Sequence, residues 1–147
     1  MTLLLLTFCG LALSAADTDY DPKRDAAADL AAAMKQAQAE KKHILLDVGG
    51  KWCVWCRILD QFFVEHPKLL QLRDQNYVWL KVNFSPENQN EAFLSKYPKI
   101  ASYPHLFVLD AKGALVRSQD TSELEEKRSY HEERMQKFLE SWRPRAQ

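Results

Sequence analysis

The chain is poor in cysteine, carries no net charge, and lacks an apolar run long enough to cross a bilayer. Only three cysteines occur among its 147 residues. A structural zinc site commonly takes four thiolate or imidazole ligands. The four histidines, His43, His66, His105 and His131, are scattered with no HxxxH spacing, so a closed zinc site is poorly supplied. Twenty basic residues balance twenty acidic ones, and no basic patch offers nucleic acid a footprint. The apolar run Leu3 to Leu13 falls short of the ~20 residues that span a bilayer. Internal repeats are absent, and an Ala-rich stretch is the sole compositional bias. What remains is 46% apolar and 11% aromatic, enough for the core of one domain.

The first residues, MTLLLLTFCGLALSAA, contain no charged side chain and end in small residues, with Ser14 and Ala16 at −3 and −1 of a cleavage site before Asp17. This reads as a secretory signal peptide over residues 1–16, leaving a domain over 17–147. The run has no Lys or Arg ahead of it. Cys9 raises the alternative of a lipoprotein anchor, against which stands the bulky Phe8. Export implies a periplasmic or secreted protein. Loss of Cys9 would leave Cys53 and Cys56 as its only thiols.

Along the rest of the chain, Asp17 to Asp21 is polar and reads as a loose lead-in. Pro22 to Lys42 carries Leu30, Ala33, Met34 and Ala37 at helical spacing. "HILLDV", His43 to Val48, reads as a buried strand. From Cys53 onward, Cys56, Leu59, Phe62 and Phe63 repeat with the period of a helix that the cysteine pair opens. Pro67 to Leu72 suggests a short helical turn, Tyr77 to Phe84 a second strand, and Pro86 to Tyr97 a helix with Ala92, Phe93 and Tyr97 inward. Pro104 to Asp110 reads as a third strand, joined through Asp110–Gly113 to a return strand over Ala114 to Arg117. Ser122 and Glu125 resemble a capping box. The charges from Glu123 to Arg134 fit a solvated helix face. The last helix sets Met135, Phe138, Leu139 and Trp142 on one side, and Trp79, Phe84, Phe93 and Phe107 fall on core-facing positions. The order α-β-α-β-α-β-β-α predicts an α/β domain, a central mixed four-stranded sheet flanked by helices.

In "GKWCVWCR" two cysteines stand three apart at a helix start. A thiol there sits near unpaired backbone N–H groups and the positive end of the helix dipole, which favours thiolate. That position belongs to Cys53. Cys56, one turn further in, lies within reach of it. The pair therefore reads as a redox couple in which Cys53 attacks a substrate disulfide and Cys56 resolves the mixed disulfide. A structural bridge would close a loop too small to stabilise much, and a metal site lacks further ligands, though copper handling by the two thiols stays open. Asp47, in the middle of "ILLDVGG", is costly to bury as a carboxylate. Placed behind the pair it would have a raised pKa and could accept the Cys56 proton. Solvent exposure at the strand end is the alternative. Trp55 is expected at the surface between the cysteines as a substrate contact or a shield. His105 either tunes the thiolate or is a structural histidine. Tyr103-Pro104 is a bond at which cis can occur.

The strand "ILLDV", then "KWCVWCR" opening a helix, then "LKVNF", then "SYPHLFVLDAKG" together resemble the thioredoxin superfamily, over roughly residues 25–142. The chain is similar to small exported bacterial thioredoxin-like proteins and to the C-terminal thioredoxin-like domain of the DsbD-type thiol:disulfide interchange reductase. The resemblance implies a thioredoxin-like fold, Cys53 as nucleophile, Cys56 as resolving cysteine, Trp52 flanking the site, Asp47 as buried acid with Lys81 near it, and Pro104 as a cis-proline facing the cysteines. The Tyr103 backbone would then hold an extended substrate segment. The expected activity is thiol:disulfide exchange on exported proteins, leaning towards reduction, with no cofactor, by a monomer served by a membrane electron-donor reductase. A peptide-binding module without turnover is the rival from another class. The sequence departs from thioredoxins in its Val54-Trp55 dipeptide, in Gly49-Gly50, in His105 after the proline and in having no glycine after Gly113.

Overall fold

The structure, a computed structural model, describes residues 19–145. The expected signal peptide, with Cys9, lies outside the described residues. Helix α1 spans Ala26–Glu40, beginning later than Pro22 because Asp25 accepts hydrogen bonds from the amides of Ala27 and Ala28 and so fixes the first turn. It ends where Lys41 turns left-handed, at φ 55°. Strand β1, His43–Gly49, follows. Helix α2 runs over Val54–Glu65 and α3 over Pro67–Asn76, longer than the single turn expected. Then come β2 (Tyr77–Asn83), a short α4 (Glu91–Leu94), β3 (His105–Leu109) and β4 (Leu115–Asp120). A 3-10 turn over Thr121–Leu124 leads to a small hairpin of β5 (Glu125–Glu126) and β6 (Ser129–Tyr130), and α5 covers Glu132–Ser141.

The main sheet has the order β2-β1-β3-β4. β1 is parallel to β2 and antiparallel to β3, which pairs antiparallel with β4. This is the mixed four-stranded sheet expected. β1 is central and six of its seven residues are buried. Leu45 points with Leu106 and Val108 to a core shared with Leu59, Phe62 and Phe63 of α2, Leu69 of α3, and Met135, Phe138 and Leu139 of α5. Ile44, Leu46 and Val48 point the other way, onto Ala33 and Ala37 of α1 and Phe93 of α4. Burying each such aliphatic side chain stabilises the fold by about 1.5–3 kcal/mol. That explains why α2, with the cysteines at its start, is held firmly against one sheet face.

Three expectations require correction. The helix expected over Pro86–Tyr97 shrinks to four residues, and Ala92 is exposed. Asparagine side chains compete for the backbone there. Asn83 Nδ2 donates to the Asn88 carbonyl, Asn88 Nδ2 to the Pro22 carbonyl, and Asn90 Nδ2 to the Asn83 carbonyl, while Asn90 itself is left-handed. The capping box Ser122/Glu125 does not form, because Asp120 accepts from the Ser122 amide and starts only the 3-10 turn. The charge run Glu123–Arg134 is not one helix face. Lys127, at φ 56°, turns the chain back into the β5–β6 hairpin, and α5 starts anew with His131 as its cap.

Candidate active site

β1 ends at Gly49, and four residues later Cys53 caps α2 with an extended backbone. Its Sγ accepts a hydrogen bond from the Cys56 amide at 3.1 Å. The first turn of the helix thus aims an unpaired N–H at the Cys53 sulfur, the arrangement that favours a thiolate when the pair is reduced. Cys53 and Cys56 form a disulfide, with Cα atoms 5.3 Å apart. Cys53 is 3% exposed and Cys56 fully buried, so both are enclosed in the oxidised protein, Cys53 slightly less than Cys56. Two glycines make room for this corner. A Cβ at Gly49 would stand 2.3 Å from Cys56 Sγ, and one at Gly50 would collide with the Trp52 ring and the Phe84 carbonyl.

Trp52 is half exposed, at 51%. Its indole N–H donates to the Phe84 carbonyl at 2.7 Å, and its ring meets Tyr103 edge-on at 5.5 Å. Tyr103 also stacks on Phe84 at 4.9 Å and packs against the cluster formed by Tyr20 and the two cysteines. The Tyr103-Pro104 bond is cis. Thr121 anchors this loop by donating to the Pro104 carbonyl at 2.6 Å. A groove of about 770 Å³ opens beside Trp52, lined by Tyr20, Pro22, Phe84 and Pro86. Trp55, expected at the surface, is instead half-buried. It packs edge-on against Tyr130 at 5.7 Å and against the α2 core. The large apolar residues exposed beside the disulfide are Trp52 and Val54.

Asp47 is completely buried, and neither of its carboxylate oxygens has a hydrogen-bond partner. Burial pushes its pKa from 3.8 up to about 7. The nearby Tyr20 hydroxyl, which does not reach hydrogen-bond geometry, and the positive charge of Lys81 oppose the rise. Lys81 lies opposite Asp47 in the β1–β2 register. Its ammonium, however, is paired with Asp60 of α2 at 2.5 Å and lies 4.8 Å from the centre of the Tyr20 ring. His105 pairs with Val48 across β1–β3 and packs on Phe107, on the sheet face away from α2. Its Nε2 meets Ser118 Oγ at 2.8 Å, and burial lowers its pKa. The structure therefore groups Cys53, Cys56, Trp52 and Tyr103-Pro104, connects Asp47 to them through Tyr20, sets Lys81 opposite Asp47, and keeps His105 on the other sheet face.

Two residues of this neighbourhood escape a sequence reading. Tyr20, in the segment taken as a loose lead-in, is 3% exposed and shares one buried cluster with the two cysteines. Asp60 neutralises Lys81. It lies four residues after Cys56, on the same helix face, and that spacing was its one available signal. Among the described residues no three metal-ligating side chains converge, and no helix is long and apolar enough to cross a membrane.

A family model described as thioredoxin-like matches residues 25–111. The chain belongs to the thioredoxin-like family. Curated relatives of this thioredoxin-like chain include the thiol:disulfide interchange protein DsbD of Pseudomonas fluorescens, 31% identical over 93 residues, and that of Salmonella typhi, 29% identical over 77 residues. Those matches cover 63% and 52% of this chain but only 16% and 13% of the relatives' own length. Among solved structures, the thioredoxin-like fold aligns with a disulphide isomerase of Xylella fastidiosa at a TM-score of 0.71 and 21% identity, covering 86% of this chain and 97% of that one. It aligns with the oxidised C-terminal domain of Neisseria meningitidis DsbD at 0.62 and 19% identity, covering 86% of this chain and all of that domain.

Proposed function

We propose that this protein is a thiol:disulfide oxidoreductase that reduces or exchanges disulfides of exported proteins. The observation that carries the reading is the Cys53–Cys56 pair at the cap of α2, clustered with Tyr20, which in turn neighbours the carboxyl of Asp47, buried without a hydrogen-bond partner. The relatives named above support it, since two of them are thiol:disulfide interchange proteins.

The mechanism follows from the geometry. In the reduced protein the Cys53 thiolate, held by the helix start, attacks one sulfur of a substrate disulfide. A mixed disulfide forms, and the other substrate sulfur leaves as a thiolate. The Cys56 thiol then gives up its proton, for which the neutral-range pKa of Asp47 suits it as acceptor. The Cys56 sulfur bonds to Cys53, the bond from Cys53 to substrate breaks, and the second substrate sulfur leaves. The substrate gains two electrons and the protein holds the disulfide seen here. Trp52, with the Tyr103-Pro104 loop, offers an apolar, partly exposed wall against which an extended segment docks. Trp55 acts as a shield behind the pair. Lys81 sets the charge near Asp47, and His105 is a structural residue of the far sheet face. Turnover in an oxidising compartment requires a donor of electrons, for which a membrane reductase fits. The chain would reach the periplasm, or be secreted, through its signal peptide.

The test is to express Cys56→Ser with its leader and separate cell proteins without reductant. The reading expects mixed disulfides between Cys53 and exported proteins, dissolved by dithiothreitol. No captured exported protein would leave the peptide-binding rival standing.

A further inference from the structure

We infer that Tyr20 is the proton relay of this site, its hydroxyl carrying the proton from Cys56 to Asp47. The inference rests on the exchange function proposed above and adds a residue to it. Tyr20 comes from the segment ahead of α1, more than thirty positions from the cysteines in sequence, yet it is buried in one cluster with them. Its hydroxyl has no hydrogen-bond partner, and neither has either oxygen of Asp47. Buried polar atoms are seldom left unpaired, and here three sit in one small region. A methyl group placed on Gly49 would lie 2.3 Å from Cys56 Sγ and 3.0 Å from the Tyr20 hydroxyl. The thiol and the hydroxyl therefore both crowd the same side of Gly49, which leaves no room for a Cβ there. On the other side, Lys81 ties Tyr20 to Asp47. It lies opposite Asp47 in the strand register while its ammonium covers the Tyr20 ring.

The step balances. With the mixed disulfide in place on Cys53, the Cys56 thiol passes its proton to the Tyr20 oxygen as Tyr20 passes its own to the Asp47 carboxylate. The Cys56 sulfur forms its bond to Cys53, and the bond from Cys53 to substrate breaks. The electron pair leaves on the substrate sulfur, which takes a proton from water. Burial, reinforced by the charge of Asp47, holds the phenol well above its ordinary pKa, so Tyr20 hands on a proton without resting as phenolate.

The experiment uses Tyr20→Phe, which keeps the ring and removes the oxygen. Reduced protein is mixed with a small aromatic disulfide, and the two thiol releases are followed by stopped flow across pH 5–9. Formation of the mixed disulfide by Cys53 should keep the wild-type rate. Its resolution should slow by about 100-fold, at the low end for a positioned proton carrier. Asp47→Asn should slow resolution similarly, and the double variant should be no slower than the slower single one. A wild-type resolution rate in Tyr20→Phe overturns the relay and leaves the exchange function standing, as do losses that multiply in the double variant. Unfolding of Tyr20→Phe overturns it too, by making the hydroxyl a structural group. A wild-type protein that shows neither thiol release overturns the function and the relay together.

Discussion

Replacing Asp47 by asparagine should make the oxidised protein more stable at neutral pH, by an amount that the burial of the carboxyl sets. In the unfolded chain this carboxyl loses its proton near its ordinary value of 3.8, whereas in the fold burial holds the proton until about pH 7. Between those values the folded state binds one proton more than the unfolded state, so stability falls as pH rises. The contribution of Asp47 is complete below the unfolded value and is lost as pH climbs to the folded one. A slope of about 1.4 kcal/mol per pH unit across roughly three units amounts to about 4 kcal/mol. Asparagine matches the neutral acid in shape and does not titrate. The two proteins, unfolded in urea with the disulfide intact at pH values from 3.5 to 8.5, should differ by a constant below pH 4. From there the variant should gain steadily, reaching a plateau about 4 kcal/mol higher above pH 7. Subtraction removes the other titrating groups, including His105 and Asp120, whose pKa values are both lowered. A difference that stays flat across the range would mean that Asp47 is ionised in the fold, and the account of the site as a neutral, buried acid would fail.

Lys81→Met removes the positive charge that holds Asp47 down and leaves Asp60 unopposed, and both changes raise the Asp47 pKa. The stability loss just described should then run on past pH 7, and an unchanged or lower midpoint in urea titrations would refute the assignment. Gly49→Ala puts a methyl group 2.3 Å from Cys56 Sγ and 3.0 Å from the Tyr20 ring. Overpacking of this kind costs about 1–3 kcal/mol, measurable by urea unfolding, and a fully stable variant would show that the corner is looser than described.

The strands were legible because burial writes itself into composition. Ile44 to Val48 and Leu106 to Leu109 are apolar on both faces because the β1–β3 pair has helices on each side. Asp47 declared itself by being the one charge in such a run. The position of the cysteine pair was legible because its spacing and the helix start are local. What was missed depends on distant partners. Tyr20 sits in a polar stretch, DTDYD, with no periodicity to mark it, and its burial comes from the meeting of β1, α2 and the N-terminal segment. Trp55 looks exposed in a CxxC spacer until the β5–β6 hairpin, itself invisible inside a charged run, brings Tyr130 against it. His105 follows the proline so closely that it seems part of the site, yet strand alternation turns it to the opposite face. The similarity to thioredoxins could suggest Lys81 near Asp47 but not the ion pair with Asp60 that holds its ammonium.

The central claim is that Cys53 attacks and Cys56 resolves. It is tested most directly by mixing each reduced single-serine variant with a small aromatic disulfide and weighing the intact adducts over time. Cys56→Ser should take up one substrate half on Cys53 rapidly and keep it, while Cys53→Ser should react far more slowly through its buried Cys56. Equal rates in the two variants, or faster labelling of Cys56, would contradict the account.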